Sequence, residues 1–413
     1  MKKVKKELIV TCDKGRCRLA LLENGNVAEV YIEKSGKRSI VGNIYMGRIT
    51  NVLPGMSAAF VDIGVGKNAL LYHQDLVIME DGTHVRPRKI GKALNQGDSI
   101  VVQVTKDPMS GKGARLTTYL SLPGRLMVYM PQSKRSGVSR RLPDRERERL
   151  RKLARELRPA EGSTIIRTAA QRARKKDIKD DLDYLLKQWA ETRQKIADAK
   201  PPALVYAEPD LAVRVVRDTV TRDFMSVWVD SKTEYNRIKE YLWRTAPELK
   251  DRVQHYKEKQ PLFARYGVDK GIEAALRRKV GLPSGGHIVI DEAEALTAID
   301  VNTGSYTGKK SLEDTVLKNN LEAAVEVVKQ LRLRDIGGII VIDFIDMENH
   351  DNRAKVLEIL EAELERDRTK TQVVTLSELG LVEMTRKNVT AGLADTLGKT
   401  CPRCEGRGLI FEK

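Results

Sequence analysis

Two short apolar segments that each end in a carboxylate constrain the fold more than any other feature of this sequence. They read Leu-Thr-Ala-Ile-Asp300-Val-Asn302 and Ile-Ile-Val-Ile-Asp343-Phe-Ile-Asp346. Because apolar β-branched runs are typical of strands, an aspartate that closes such a run lies where the sheet meets solvent. Two adjacent strands of this kind would hold two carboxylates at one sheet edge, an arrangement that suits Mg²⁺ with its remaining positions left to water and phosphate. The pattern predicts an α/β domain with a divalent-cation site.

Strand parity distinguishes between these polar residues. Asp300 and Asn302 are two residues apart and therefore share one face of their strand. Asp343 and Asp346 are three residues apart, so a regular strand brings only one of them to Asp300. We favour Asp343, because it lies deeper in the apolar run and a buried charge needs a partner; Asp346 would support the site from outside it. In the alternative interpretation these aspartates cap turns or pair with arginines.

The predicted chemistry is metal-assisted hydrolysis of a phosphodiester, because no histidine near either segment stands out as a general base. The charge balance favours a polyanionic partner: 74 Lys and Arg against 57 Asp and Glu give a formal net charge of +17. Much of the excess falls in one block, residues 125–176, where a solvated helical face is the alternative explanation.

Short strands separated by Gly and Pro turns follow one another over residues 36–120. This pattern is typical of a small five-stranded OB-type barrel. In such a barrel Phe60 would stack on a base, and Lys106 and Lys112 would contact phosphates. Alternatively, Phe60 belongs to the core and the lysines are ordinary surface residues.

The rest of the chain divides into further segments. Residues 1–35 read as strands, and we expect them to pack with 215–280. Residues 125–200 are basic and largely helical, and residues 204–280 mix helices with strands such as Leu211–Val216. Residues 281–400 follow the order strand, strand, helix, strand, helix, strand, which implies a layered α/β domain.

Cys401-Pro-Arg-Cys404, in the last segment 401–413, has the spacing of a zinc knuckle. It supplies two of four ligands, so the same knuckle of a second copy would complete the site and join a homodimer through one Zn²⁺. A redox dithiol is the alternative. Four cysteines form no disulfide framework, and no stretch approaches the roughly 20 apolar residues of a membrane span. We therefore expect a cytoplasmic protein.

The sequence resembles the ribonuclease E/G family of bacterial endoribonucleases. The similarity is carried by the Asp300, Asp343 and Cys401 segments quoted above, and it extends in order over essentially the whole chain. It implies an α/β multidomain protein with the following parts: an RNase H-like fold (1–35 and 215–280) interrupted by an OB-fold RNA-binding barrel (36–120) and a 5′ sensor (121–214), then a deoxyribonuclease-I-like catalytic domain (281–400) and a zinc link (401–413).

The resemblance also implies an activity: Mg²⁺-dependent hydrolysis of single-stranded RNA, favouring 5′-monophosphorylated substrates and leaving 5′-phosphate and 3′-hydroxyl ends, in rRNA maturation and mRNA decay. The implied residues bind the metal (Asp300 and Asp343, with Asn302 as the third catalytic residue), the 5′-monophosphate (Arg167, Thr168, Gly124, Val128 and Lys370) and the RNA chain (Phe60, Lys106, Lys112 and Arg140).

Three departures from the family pattern change the expectations. Lys370 stands where the best-known members have an arginine in the sensor pocket, which weakens the expected preference for a monophosphate. Leu70 replaces the second stacking aromatic of the barrel. The sequence ends nine residues after Cys404, so we expect a dimer rather than a tetramer and no scaffold for other decay enzymes.

Two rival functions make different predictions. A non-catalytic RNA-binding or ribosome-assembly factor would bind RNA tightly and yield no metal-dependent products, and the paired aspartates argue against it. A metal-dependent deoxyribonuclease would cut single-stranded DNA as well as RNA.

Overall fold

The computed structural model forms two compact units. The first unit comprises residues 1–32, 224–230 and 255–413, and the second comprises 33–223 and 231–254. The segments predicted as an RNase H-like domain and a separate catalytic domain therefore contribute to one unit. The structure describes residues 4–13, 16–33, 38–80, 83–108, 112–304, 312–377, 380–387, 392–406 and 408–410.

A small mixed sheet opens the first unit. Lys6–Asp13 pairs in parallel with Phe224–Val229 and antiparallel with Arg16–Glu23, which is followed by Asn26–Glu33. Phe224–Val229 lies in the segment 215–280 that was predicted to pack with the first strands. Of that segment, 224–230 and 255–280 belong to this unit, whereas 215–223 and 231–254 belong to the second. Cys12 and Cys17 face each other across the first hairpin and form a disulfide, a pairing that the cysteine count did not predict.

The second sheet of this unit carries the two aspartate-ended strands, and we call it the carboxylate sheet. Its strands, in spatial order, are Lys279–Gly281, His287–Glu292, Leu296–Asn302, Gly338–Asp343, Leu381–Arg386 and Thr371–Leu376. The strand Leu381–Arg386 was not predicted. It lies between Gly338–Asp343 and Thr371–Leu376, which were both predicted as strands. The helices of this unit are Leu262–Arg265, Val268–Ala275, Leu312–Arg334, His350–Leu364 and Leu393–Leu397.

Alternation along the carboxylate sheet places the apolar side chains on one face. Ile299, Ile340 and Ile342 are buried against Val327 of the long helix Leu312–Arg334. At the end of that helix Leu333 joins the core of the first sheet. Arg332 donates hydrogen bonds to the carboxylates of Glu23 and Glu29. The long helix therefore contributes to the cores of both sheets and is joined to the first sheet by ion pairs.

The second unit contains a closed five-stranded barrel. The barrel is closed by Ile44–Leu53, which pairs with Ala58–Asp62 on one side and with Ser99–Lys106 on the other. An additional strand, Ala203–Tyr206, pairs with the first strand outside the barrel. The barrel strands, in order of pairing, are Ile44–Leu53, Ala58–Asp62, Ala69–Tyr72, Arg115–Thr117 and Ser99–Lys106.

The remainder of the second unit is a four-stranded sheet with helices. The sheet contains Leu122–Pro123, Met127–Met130, Ser163–Ile166 and Gly137–Val138. The helices are Ile90–Ala93, Asp144–Glu156, Lys175–Asp198, Leu211–Thr219 and Lys232–Thr245. A short hairpin pairs Ile78–Glu80 with Thr83–Val85. The strand Val253–His255 belongs to the first sheet, next to Phe224–Val229.

The prediction of a strand at Leu211–Val216 was wrong, because the segment belongs to the helix Leu211–Thr219. Its β-branched residues favour a strand locally, but the side chain of Asp210 accepts a hydrogen bond from the backbone N–H of Val213 and caps a helix. Seven of the nine residues of this helix are buried, and this tertiary burial overrides the local strand propensity.

No helix in the described part of the chain combines the length and the apolar character that crossing a bilayer demands.

Candidate active site

The carboxylate sheet brings the two aspartates side by side. Leu296–Asn302 and Gly338–Asp343 run parallel, and Asp300 is in register with Asp343. Residues in register on adjacent strands project from the same face, so both carboxylates extend from one edge of the sheet. Asn302, on the same face, donates a hydrogen bond from Nδ2 to Oδ2 of Asp300 at 2.8 Å. The register therefore pairs Asp343, rather than Asp346, with Asp300.

The electrostatics of this edge suit a divalent cation. Partial burial, followed by the negative charges of Asp300 and Asp346, raises the pKa of Asp343. A cation between the carboxylates would offset this repulsion. Across the described residues, no three His, Cys, Asp or Glu side chains converge to enclose a metal. Two carboxylates fit Mg²⁺, which keeps water and substrate oxygens as its other ligands.

A histidine that the sequence analysis did not single out lies beside this edge. His287 is in register with Asn302 on the neighbouring antiparallel strand, so it projects from the carboxylate face. Burial and the charge of Lys279 lower the pKa of His287, and they outweigh the opposing effect of Asp300. These effects favour the neutral form of the ring. Counting back across the predicted hairpin would have found this residue.

Two buried asparagines of the helix Leu312–Arg334 hold the ends of the aspartate strands. Asn320 donates from Nδ2 to the carbonyl oxygen of Ile345 at 2.8 Å and accepts from the backbone N–H of Ile345 at 3.1 Å. Asn319 donates to the carbonyl oxygen of Asn302 at 3.4 Å. Buried amides with partners on both donor and acceptor atoms fix backbone position. Asn320 thereby positions the segment between Asp343 and Asp346.

The barrel presents a continuous row of residues in which Phe60 is central. Phe60 is in register with Asn51 on one side and Leu70 on the other. Leu70 is in register with Arg115, which pairs in turn with Lys106. Phe60 is half-buried and lies outside the barrel core, whereas its neighbours Ala59 and Val61 belong to that core. This row offers one aromatic ring and two cations on a single surface.

Arg167, the predicted receiver of a 5′-phosphate, is held by a carboxylate. Its Nη1 donates to Oδ1 of Asp218 at 2.7 Å and to the carbonyl oxygen of Gly124 at 2.6 Å. Although burial opposes ionisation, the guanidinium groups of Arg217 and Arg167 lower the pKa of Asp218. Both contacts use Nη1, which leaves the other edge of the guanidinium for a ligand. Thr168 follows directly and is exposed.

The remaining predicted contacts are distributed over both units. Lys106, Lys112 and Arg140 are exposed in the second unit, and Val128 lies on the strand Met127–Met130. Lys370 is exposed in the first unit, next to the strand Thr371–Leu376. Its proximity to Arg167 stays a prediction.

Gly124 has no room for a side chain. A Cβ there would lie 2.6 Å from Oδ2 of Asp181 and 2.9 Å from Leu185. Asp181 is fully buried and accepts hydrogen bonds from the backbone N–H groups of Arg125, Leu126 and Met127. The glycine is therefore required by a buried carboxylate that fixes the turn before Arg125.

Replacing Gly124 by Ala should lower the free energy of unfolding by about 1–3 kcal/mol, the usual cost of overpacking. Gly137→Ala is the matched control, because the nearest atom to its Cβ would be a carbon of Ile165 at 3.8 Å. Urea denaturation of both variants measures the difference. Equal stability of the two variants would contradict the contact with Asp181.

Cys401 and Cys404 are both free thiols. Hydrogen bonds from the backbone of Cys404 and Arg403 lower the pKa of the Cys401 thiol. A lowered pKa favours the thiolate, which is the form that binds Zn²⁺. The pair fits two of the four positions of a structural zinc site.

A closed barrel in one unit and an in-register aspartate pair in the other define a multidomain α/β protein with the organisation of a nucleic-acid-processing enzyme. Residues 121–389 match the model of the Ribonuclease E/G family. The chain belongs to this family.

Curated relatives show the same similarity over nearly the full chain. Ribonuclease G of Escherichia coli (strain K12) is 42% identical over 411 residues, covering 98% of this chain and 84% of the relative. Ribonuclease G of Haemophilus influenzae is 40% identical with the same coverage. Ribonuclease E of that organism is 36% identical over 417 residues, which is 98% of this chain and 44% of the relative.

Proposed function

We propose that this endoribonuclease hydrolyses single-stranded RNA with Mg²⁺ held by Asp300 and Asp343. The in-register pairing of these two aspartates is the observation that carries the proposal. When bound, Mg²⁺ polarises the scissile phosphodiester and activates water as the nucleophile. The products are a 5′-phosphate and a 3′-hydroxyl, and the roles are rRNA maturation and mRNA decay.

At the carboxylate edge, some residues are proposed to bind the cation and others to position the residues that bind it. Asp300 and Asp343 supply the negative charge that retains the cation, and Asn302 orients Asp300 through its 2.8 Å hydrogen bond. Asn320 holds the backbone at Ile345, which keeps the exit of the second strand fixed. Such preorganisation means that the carboxylates need little rearrangement when the charge of the transition state develops.

The RNA chain is proposed to bind to the second unit by stacking and by charge. Phe60 provides a stacking surface, and Lys106, Lys112 and Arg140 provide phosphate contacts. Arg167 and Thr168 are proposed to bind a 5′-monophosphate, with Asp218 holding Arg167 in orientation. Bidentate binding by a guanidinium edge suits a phosphate. Lys370 would contribute a point charge rather than a second guanidinium fork.

The finer architecture forms part of the same proposal. The first sheet is assigned to an RNase H-like fold, the carboxylate sheet to a deoxyribonuclease-I-like domain, and residues 121–214 to a 5′ sensor. The pairing of Lys6–Asp13 with Phe224–Val229 supports the split first domain.

A cleavage assay tests the function. An unstructured RNA bearing a 5′-monophosphate and the same RNA bearing a 5′-hydroxyl are incubated with Mg²⁺ or with a chelator. We expect internal cleavage with Mg²⁺ only, faster for the monophosphate. Tight RNA binding with no metal-dependent product would support a binding factor instead, and equal cleavage of single-stranded DNA would support a general nuclease.

Cys401 and Cys404 are proposed to share one Zn²⁺ with the same residues of a second copy. Cys404→Ser should convert the dimer to a monomer, because each chain then offers the ion a single thiolate. Sizing chromatography with light scattering measures the mass, and zinc analysis should fall from one ion per two chains to none. Cys17→Ser is the control and should leave the dimer intact. A dimer that persists in Cys404→Ser would refute the link.

A further inference from the structure

An unassigned basic cleft lies on the second unit, away from the residues discussed above except Arg140. Its volume is about 430 Å³, and it opens between the strand Gly137–Val138 and the helix Asp144–Glu156. Five cationic side chains line it and no acidic one does: Lys134, Arg140, Arg151, Arg155 and Arg158. Val138 and Ala154 form its apolar floor.

Helical spacing explains why the charges accumulate here. Arg151 and Arg155 are four residues apart on the helix and therefore lie on one face. Arg158 follows the end of the helix and also lines the cleft. Three of the four acidic residues of the same helix pair with cations outside the cleft: Asp144 with Arg147, Glu146 with Arg149, and Glu156 with Lys175. The fourth, Glu148, does not line the cleft. The hydrogen bond from Arg149 lowers the pKa of Glu146 to about 2, so this carboxylate is ionised and committed to that pair.

The five cations of the cleft have no such partners. Each is exposed, and within the described part of the chain none forms an ion pair with a carboxylate. Clustering five like charges costs free energy in the folded protein, and a bound polyanion would recover it. An ordinary solvated face would alternate its signs, as the opposite face of this helix does.

We propose that this cleft binds consecutive phosphodiester groups of the RNA that the enzyme cleaves, as a contact additional to the barrel and the Arg167 pocket. The inference rests on RNA being the substrate. Three observations favour RNA over another anion: the cleft is open rather than enclosed, it repeats cations at helical spacing, and it lies in the same unit as the Phe60 row. Such contacts strengthen binding without reading sequence.

The test measures how RNA affinity depends on salt, in a chelator so that no cleavage intervenes. The variant R151Q/R155Q/R158Q is compared with the wild-type chain, using a long unstructured RNA. Removing three phosphate contacts should reduce the slope of log K against log salt by about 2, since each contact to a single strand contributes about 0.7. The control variant K179Q/K187Q/K195Q loses the same charge from exposed positions on the helix Lys175–Asp198.

The outcomes are distinct. A reduced slope in the cleft variant together with an unchanged slope in the control supports the site. An unchanged slope in the cleft variant, or an equal reduction in both, overturns it. Tripolyphosphate that binds the wild-type chain but not the cleft variant, with RNA binding unaffected, would also overturn the assignment in favour of a free polyphosphate. Failure of the proposed cleavage is detected separately, because this measurement requires no product.

Discussion

Asp343→Asn is expected to reduce Mg²⁺-dependent RNA cleavage by about three orders of magnitude or more. The substitution preserves size and hydrogen bonding but removes one of two in-register negative charges. A catalytic metal contributes several kcal/mol of transition-state stabilisation, and each 1.36 kcal/mol corresponds to a factor of ten in rate. Asp300→Asn should have a comparable effect. Single-turnover cleavage of a 5′-monophosphorylated RNA across a Mg²⁺ titration measures both.

A control variant distinguishes the loss of a metal-binding carboxylate from the loss of a negative charge elsewhere in the same unit. Asp351→Asn removes an exposed carboxylate from the helix His350–Leu364 of the same unit and should leave the rate unchanged. RNA binding measured in a chelator should persist in all three variants, because the proposed RNA contacts other than Lys370 lie in the second unit. Wild-type activity in Asp300→Asn or Asp343→Asn would exclude the carboxylate edge as the catalytic centre.

The parts of this site that depend on strand periodicity could be predicted from the sequence, and the parts that depend on tertiary contacts could not. Asp300, Asn302 and Asp343 follow from a side-chain period of two and from the placement of two apolar runs in one sheet. The position of His287 follows from the register of the predicted hairpin, in which it is opposite Asn302. The hairpin was predicted, but its register was not worked out. Asn320 is different. Its role depends on the tertiary contact between its side chain and the backbone of Ile345, and helical spacing alone does not predict that contact.

In the second unit, too, the tertiary contacts of a predicted residue could not be predicted from the sequence. Arg167 was recognised through a motif, but its partner Asp218 is on a helix whose first residues were predicted as a strand. The predicted strand Leu211–Val216 ended before Arg217 and Asp218, so that prediction assigned no common position to their side chains. The barrel, by contrast, is built from local turns at close spacing, and the pattern of short strands predicted it.

Arg217 makes the strongest stability prediction in the second unit. Its guanidinium is buried, with the side chain 6% exposed, and it pairs with Glu208, whose side chain is 5% exposed. It also donates to Asp218 at 3.0 Å and to the carbonyl oxygen of Pro123 at 3.2 Å. Although burial opposes its charge, the carboxylates of Asp218 and Glu208 raise the pKa of Arg217. One cation thus pairs with the buried carboxylate of Glu208 and the partly exposed carboxylate of Asp218.

Arg217→Met should therefore lower the free energy of unfolding by about 3–5 kcal/mol, because it leaves the Glu208 charge buried without its cation. Adding Glu208→Gln to Arg217→Met should recover part of this loss, since the buried charge is then removed as well. Arg214→Met is the matched control on the same helix: its side chain is half-buried and forms no ion pair within the described residues, so its cost should stay below about 1 kcal/mol. Urea titrations of the four proteins measure these differences. A stability loss no larger than that of Arg214→Met would show that the Glu208 pair contributes no net stability to the fold.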